Sequence, residues 1–318
     1  MKAVLLKQGR LRFGELSVPA AGAGEALVKV KMAGICNTDL ELVKGYMGFE
    51  GVLGHEFVGV VAETEDRAWT GKRVCGEINF GCGDCDWCRR GLNRHCPSRT
   101  VLGILNQNGA FAEYVIIPVQ NLRAVPDSVS DASAVFVEPL AAAFEILEQV
   151  KIEPIHKVAV VGDGKLGLLV SQVLKLTGCD LTLIGKHDRK LALARSWGLK
   201  TARPEEANGR EFDIAVEASG APAGFETAMR ALKPRGKIVL KSTYAGKLEL
   251  DAAAIVIDEI TVVGSRCGLF DPAIRALANN LVQVEEVVDE VFPFSNALLA
   301  FERANQSGTL KVLLDLEC

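Results

Sequence analysis

The sequence predicts an α/β protein in two parts: a mostly-β region, then a doubly wound parallel sheet with helices on both faces. Residues 1 to about 125 read as short strands, such as ALVKVKMAG, EFVGVVAET and AFAEYVIIP, separated by Gly, Pro and Asn turns. From about 140 to 285, strand-like and helix-like runs alternate. KVAVVG precedes KLGLLVSQVLKLTG, LTLIG precedes DRKLALARSWG, DIAVEASG precedes APAGFETAMRALKPRG, and KIVLKS follows. That alternation implies right-handed βαβ units and therefore a parallel sheet. The final segment, VVDEVFPFSNALLAFERANQSGTLKVLLDL, reads as strand, helix, strand and is placed to return to the first part. The opening MKAVLLKQGRLRF reads as a strand, because charges interrupt it too soon for a signal peptide.

With 318 residues the chain is long enough for two domains. A net charge of −4 and a pI of 5.7 disfavour nucleic acid or an anionic membrane as a partner. No uninterrupted apolar run reaches the length of a membrane span. A reducing cytoplasm is the expected location, and there clustered cysteines favour metal over disulfides. Five of the nine cysteines lie outside the cluster described next; Cys75, Cys179 and Cys267 are expected to be packed and inert, and Cys318 ends the chain.

Cys82, Cys85, Cys88 and Cys96 stand in GCGDCDWCRRGLNRHC with the spacing C-x2-C-x2-C-x7-C. Short loops of this kind fold four thiolates around one tetrahedral zinc ion, and a closed thiolate shell makes that zinc structural. Arg89, Arg90 and Arg94 can offset its negative charge. Free or disulfide-bonded cysteines are one alternative reading, and an iron–sulfur cluster is another.

Gly162, Gly164 and Gly167 form G-x-G-x-x-G directly after an apolar strand, with a helix-forming run behind them. In that setting the pattern is the Rossmann dinucleotide fingerprint. The first glycine makes the tight turn, the second admits a pyrophosphate, and the third allows close helix–strand packing. The helix N-terminus, beginning at Lys165 and Leu166, offers N–H groups and a positive dipole end to the phosphates. A ligand-free glycine turn is the alternative. The second strand of an NAD site usually ends in an acid that holds the ribose hydroxyls. Here that place has Gly185, followed by Lys186, His187, Asp188 and Arg189. Missing acid and nearby bases suit a 2′-phosphate, so NADP is favoured over NAD. A solvated basic helix start is the other reading. Asp188 is expected either as the helix N-cap or, if it reaches the ribose, as a sign of NAD.

Histidine is scarce. His55 lies in GVLGHEFVG beside Glu56, Cys36 lies upstream in AGICNTDLE, and Glu138 lies downstream in FVEPLA. One thiolate, one imidazole and one carboxylate would make an open zinc site of the kind catalysis requires. Spacing alone does not assemble them, and each has a plain structural reading: a buried thiol, a satisfied histidine, a helix-start acid.

The chain resembles the zinc-dependent medium-chain dehydrogenases/reductases, the alcohol, polyol and glucose dehydrogenase superfamily. The resemblance runs over nearly the whole length in one order: ICNTDL around Cys36, GHE at Gly54–Glu56, the four-cysteine lobe, GAFAEY at Gly109–Tyr114, EPLA at Glu138–Ala141, GDGKLG at Gly162–Gly167, EASG at Glu217–Gly220 and GSRCG at Gly264–Gly268. It implies a GroES-like catalytic domain over 1–138, carrying the cysteine lobe and completed by 287–318, and a Rossmann cofactor domain over 139–286. It implies Cys36 and His55 as ligands of a catalytic zinc, with Glu56 and Glu138 as the remaining carboxylates near the metal. By the same resemblance Thr38 hydrogen-bonds the substrate oxygen, Asp39 orients His55, and Lys311 is the basic partner of Asp39; Arg266 lies near the cofactor or in a structural ion pair. Tyr46, Phe49 and Leu105 are the implied pocket residues. Where many relatives have a histidine ending a proton relay, this chain has Glu41.

The resulting expectation is a homodimeric or homotetrameric enzyme with two zinc ions per chain. It would pass hydride between an alcohol, polyol or sugar hydroxyl and NADP(H). An NAD-dependent amino-alcohol dehydrogenase acting on a threonine-like substrate is the nearest alternative. A non-catalytic cofactor sensor and a zinc-ribbon nucleic-acid binder belong to other classes; the intact Cys36, His55, Glu56 and Glu138 set argues against the first, and the acidic pI against the second.

Overall fold

The computed structural model describes residues 1–243 and 248–318. The chain divides into two compact units. One comprises Met1–Glu138, Phe270–Asn280 and Val287–Cys318, and the other Pro139–Leu269 and Leu281–Glu286. Helix Phe270–Ala278 therefore falls in the first unit, whereas an unbroken 139–286 domain would assign it to the second.

The first unit is built on a seven-stranded sheet. Its strands run in the order Leu122–Ala124, Arg73–Gly76, Glu56–Thr64, Glu25–Ile35, Lys311–Asp315, Val288–Pro293, and Tyr114–Pro118 pairs with the early half of Glu25–Ile35. Glu25–Ile35 is the central strand: Ala26, Val28, Val30, Ala33 and Ile35 are buried, and it pairs with three neighbours. Burying each such valine or isoleucine contributes about 1.5–3 kcal/mol. The C-terminal strand returns to it antiparallel, with Val312 opposite Ile35. The opening segment forms a hairpin, Lys2–Lys7 with Arg10–Glu15, joined by Gly51–Val52. The short pair Asn79–Phe80 and Thr100–Val101 closes the base of the cysteine lobe.

The second unit holds six parallel strands: Lys157–Val161, Asp180–Ile184, Lys200–Ala202, Phe212–Glu217, Leu232–Leu240 and Thr261–Gly264. Numbered in that order they lie 3-2-1-4-5-6 across the sheet, the doubly wound arrangement that places a dinucleotide beyond the C-terminal end of the first strand. Val158, Ala159 and Val160 have no exposed surface, as a strand covered on both faces requires. Helix Pro222–Ala231 ends before Pro234, so LKPRG leaves the helix that the APAGFETAMRALKPRG run suggests. Among the other cysteines Cys75 is buried, while Cys179 and Cys267 are only half-buried, short of the packed environment expected for them.

Candidate functional site

Strand Glu25–Ile35 delivers Cys36 to the N-cap of helix Asn37–Val43. The Cys36 N–H donates to Asp39 Oδ2 at 2.8 Å, which fixes the turn that carries both side chains. Thr38, half-buried in the first helical turn, has its Oγ1 3.8 Å from Cys36 Sγ. Gly54, at φ +98°, turns the chain ahead of His55, and a side chain there would run into the Phe111 ring. Glu56 then opens the strand opposite Gly34. The result is that donor atoms of Cys36, His55 and Glu56 all lie within 4.8 Å of one another.

His55 and Glu56 are 3% and 1% exposed, and Asp39 is wholly buried. His55 Nδ1, Asp39 Oδ1 and Glu56 Oε1 each lack a hydrogen-bond partner among the described residues; that state is costly for buried polar atoms, and a cation would relieve it at Glu56 Oε1. The Asp39 carboxylate sits 3.4 Å from His55 Nδ1. Burial works to discharge the imidazole. The nearby charges of Asp39 and Cys36 outweigh burial and hold His55 well above the ordinary histidine value. One thiolate, one imidazole and one carboxylate are a donor set suited to zinc.

One expectation about this cluster is corrected. Lys311 pairs with the Glu56 carboxylate, not with Asp39, and both partners are 1% exposed. Burial lowers the Lys311 ammonium, but the neighbouring Glu56 and Cys36 charges outweigh it and raise the group above its usual value. Gly34 makes the pairing possible, because a Cβ there would lie 2.7 Å from Glu56 Oε2. Glu138, in the first turn of helix Val137–Gln149, is not in the three-residue donor set but acts on Lys311 through its charge, as a carboxylate near the site. No spacing in the sequence pointed to Gly34.

The lobe gathers Cys82, Cys85, Cys88 and Cys96 into a second set with all sulfurs within 4.8 Å. The Sγ···Sγ separations are 3.5 Å for Cys82–Cys96, 3.7 Å for Cys85–Cys96 and 4.0 Å for Cys82–Cys88. A tetrahedron with Zn–S of about 2.3 Å has an edge of about 3.8 Å, so the four sulfurs bracket that geometry. They are far from the ~2.05 Å of a disulfide. The Cys82 N–H, 3.5 Å from Cys96 Sγ, leads the hydrogen bonds that lower that thiol to about 7.

In the second unit the three fingerprint glycines occupy distinct environments. Gly162 has φ +120°, and a Cβ there would lie 2.7 Å from the Ala218 backbone. Gly164 caps helix Lys165–Lys175 and faces open space. At Gly167 a Cβ would fall 1.8 Å from Gly162 O, so helix and strand touch only because it is glycine. Lys165 and Leu166 begin the helix. Beyond the second strand, Lys186 and His187 precede helix Asp188–Ser196, with Arg189 in its first turn. Asp188 is not the N-cap: His187 holds that position, and the Asp188 carboxylate pairs with Arg203. Arg203, which the reading of 185–190 missed, also donates to Lys186 O. It follows the third strand, which lies beside the second, so the strand order was the available signal. Arg266 follows the last strand, and its carbonyl accepts from buried Lys241 Nζ at 2.6 Å.

Comparison with known proteins agrees with this architecture. Residues 22–127 match the alcohol dehydrogenase GroES-like domain family, and residues 166–283 the zinc-binding dehydrogenase family. The chain is 30% identical to the D-arabitol-phosphate dehydrogenase of Enterococcus avium, across 96% of this chain and 94% of that protein. The crystal structure of rspB, an alcohol dehydrogenase from Escherichia coli CFT073 with NADH, superposes with a TM-score of 0.91 at 28% identity, covering 99% of each chain. A zinc-binding dehydrogenase from Sinorhizobium meliloti 1021 bound to NADP gives 0.90 at 28% identity, over 99% of this chain and 98% of that one. The chain belongs to the zinc-dependent medium-chain dehydrogenases/reductases. Within that family it is an alcohol dehydrogenase that works with a nicotinamide cofactor. Among the described residues no helix is long and apolar enough to cross a membrane.

Proposed function

We propose that this enzyme oxidises an alcohol, polyol or sugar hydroxyl reversibly, with zinc held by Cys36, His55 and Glu56 and with NADP(H) preferred over NAD(H). The observation that carries the reading is the Cys36–His55–Glu56 set, with donor atoms within 4.8 Å of one another, His55 and Glu56 buried, and Glu56 Oε1 unpartnered. When bound, zinc supplies a Lewis acid for the substrate oxygen, and the nicotinamide supplies the hydride chemistry. Asp39, 3.4 Å from Nδ1, orients the ring so that Nε2 is left for the metal. Lys311 pairs with the Glu56 carboxylate and balances its charge. Thr38 Oγ1, beside the Cys36 sulfur, accepts the substrate hydroxyl proton and releases its own. Glu41, in the place of the relay histidine, is bonded to Lys44 Nζ at 2.9 Å, which favours water as the final proton acceptor. The second set, Cys82, Cys85, Cys88 and Cys96, holds a structural zinc by this reading.

A cleft of about 680 Å³ opens in the first unit, and none of Cys36, Thr38, His55 or Glu56 lines it. Phe49 and Leu105 line it, together with Met47, Asn106, Asn108 and Tyr114. Tyr46, in the turn Tyr46–Gly48, lies outside that lining. Gly185 with Lys186, His187, Arg189 and Arg203 around the turn supports NADP. Edge strand Thr261–Gly264 with exposed Val262, near Val256 and Ile257, supports a homo-oligomer joined at this edge.

Zinc content per chain, NADPH and NADH fluorescence titrations, and a panel of alcohols, polyols, sugars and L-threonine test the proposal. The expected result is two zinc ions, tighter NADPH binding and turnover of a hydroxyl compound. One zinc confined to the lobe would remove the catalytic-metal reading. NAD-dependent turnover of L-threonine alone would replace the substrate and cofactor assignment.

A further inference from the structure

The fingerprint loop carries an acid whose place in the fold bears on cofactor choice. Asp163 stands between Gly162 and Gly164 and is 6% exposed. Its carboxylate does not face solvent; it reaches across to the end of the second strand. Oδ2 accepts from the N–H groups of Lys186 and His187, both at 2.7 Å. Oδ1 lies 2.9 Å from His187 Nδ1. Three of its roughly four lone-pair directions are engaged by these groups. The same carboxylate fills the room beside Gly185, where a Cβ would meet Asp163 Cβ and Oδ2 at 2.6 Å and Cγ at 2.7 Å. Gly185 itself is tied to the third strand by its N–H to Ala202 O at 3.1 Å, so it cannot easily move aside. On the outer side, Arg203 bridges Lys186 O and the Asp188 carboxylate. The turn 185–188 is thereby held from both sides, with the half-exposed His187 ring clamped to Asp163.

We propose that Asp163 is a specificity-determining positioning residue: by filling the space beside Gly185 and gripping 186 and 187, it excludes a ribose-binding acid at 185 and sets the basic turn to receive a 2′-phosphate. The inference rests on the reading of residues 162–189 as the dinucleotide site. Asp163 does not act as the ribose acid itself, because its oxygens are engaged by the turn. A consequence follows that inspection of position 185 alone would not suggest. The single substitution Gly185→Asp does not create an NAD site, because its side chain meets the Asp163 carboxylate with like charge. Removing Asp163 at the same time opens that room.

The test is fluorescence titration of the full-length, zinc-loaded protein with NADPH and with NADH, with thermal unfolding as the folding control. Asp163→Ala is expected to lower the NADPH-over-NADH affinity ratio by about tenfold, the weight of one charge-assisted contact. Asp163→Asn keeps an acceptor for both N–H groups and is expected to retain a larger ratio than Asp163→Ala; it also serves if Asp163→Ala does not fold. Gly185→Asp alone should weaken both dinucleotides, and Asp163→Ala/Gly185→Asp should bind NADH more tightly than NADPH. An unchanged ratio in Asp163→Ala, a selective loss of NADH in that variant, or a switch to NADH by Gly185→Asp alone each overturns the inference. Wild-type protein that prefers NADH would overturn the NADP reading separately, while the ratio change in the Asp163 variants would still decide the role of that residue.

Discussion

The two metal-competent clusters of the first unit are built on opposite principles. The lobe draws four like donors from residues 82–96, on one loop closed by a two-stranded pair, and Cys82 is exposed. The inner cluster takes three unlike donors from the start of a helix, a loop and the start of a strand, and its charge balance comes from Lys311 near the C-terminus. Four identical thiolates close a tetrahedral shell and leave nothing for a substrate. A mixed set of three leaves a coordination position open. The local cluster depends on its own loop, whereas the inner one depends on register across the central sheet, where Gly34, Glu56 and Lys311 meet.

Variants sharpen that contrast. Cys36→Ser is expected to lower kcat by at least about ten-thousandfold, ~5.4 kcal/mol of transition-state stabilisation. It should remove one zinc per chain and leave the lobe loaded, as metal analysis beside steady-state kinetics would read. Full activity with two zincs would break the distinction between the clusters. Lys311→Met should destabilise the fold by about 3–5 kcal/mol, because it strands the Glu56 carboxylate in a buried site; denaturant unfolding measures it, and a change under ~1 kcal/mol would show that the pair is dispensable. Asp39→Asn should reduce inner-site zinc affinity or turnover by about 10–100-fold, the usual weight of a group that orients a ligand histidine.

The inner site should also respond to pH in a defined direction. His55 is raised in the metal-free protein, so at neutral pH a proton competes with zinc for the ring. Inner-site affinity should therefore rise with pH up to that raised value, by about tenfold per unit for each proton displaced. Competition titrations with a chelator across pH would show it, and a flat profile would count against His55 as ligand. The smallest effect on catalysis is expected from Cys96→Ser. The clusters share no residue, so turnover of folded chains should stay within about twofold of wild type while one zinc is lost and the lobe becomes protease-sensitive. Loss of both zincs would show that the two are coupled.

The lobe and the glycine fingerprint were legible because short-range spacing governs them. C-x2-C-x2-C-x7-C brings sulfurs together within one loop, and G-x-G-x-x-G needs only the strand, turn and helix around it. Strand–helix alternation likewise announced the parallel sheet, while its 3-2-1-4-5-6 order is a feature of the tertiary structure. Cys36, His55 and Glu56 were found through resemblance, since no periodicity links residues on separate elements.

What the sequence determined by itself was therefore the set of locally encoded units: the strands, the cysteine loop and the glycine turn. Tertiary structure alone decided that Lys311 meets Glu56 and not Asp39, that Glu138 stands outside the close donor set, that Asp188 pairs with Arg203, and that Asp163 fills the room beside Gly185. Each of these depends on which strands lie side by side and on how closely their backbones approach. Excluded volume and the pairing of buried charges fix such contacts only once distant parts of the chain have packed.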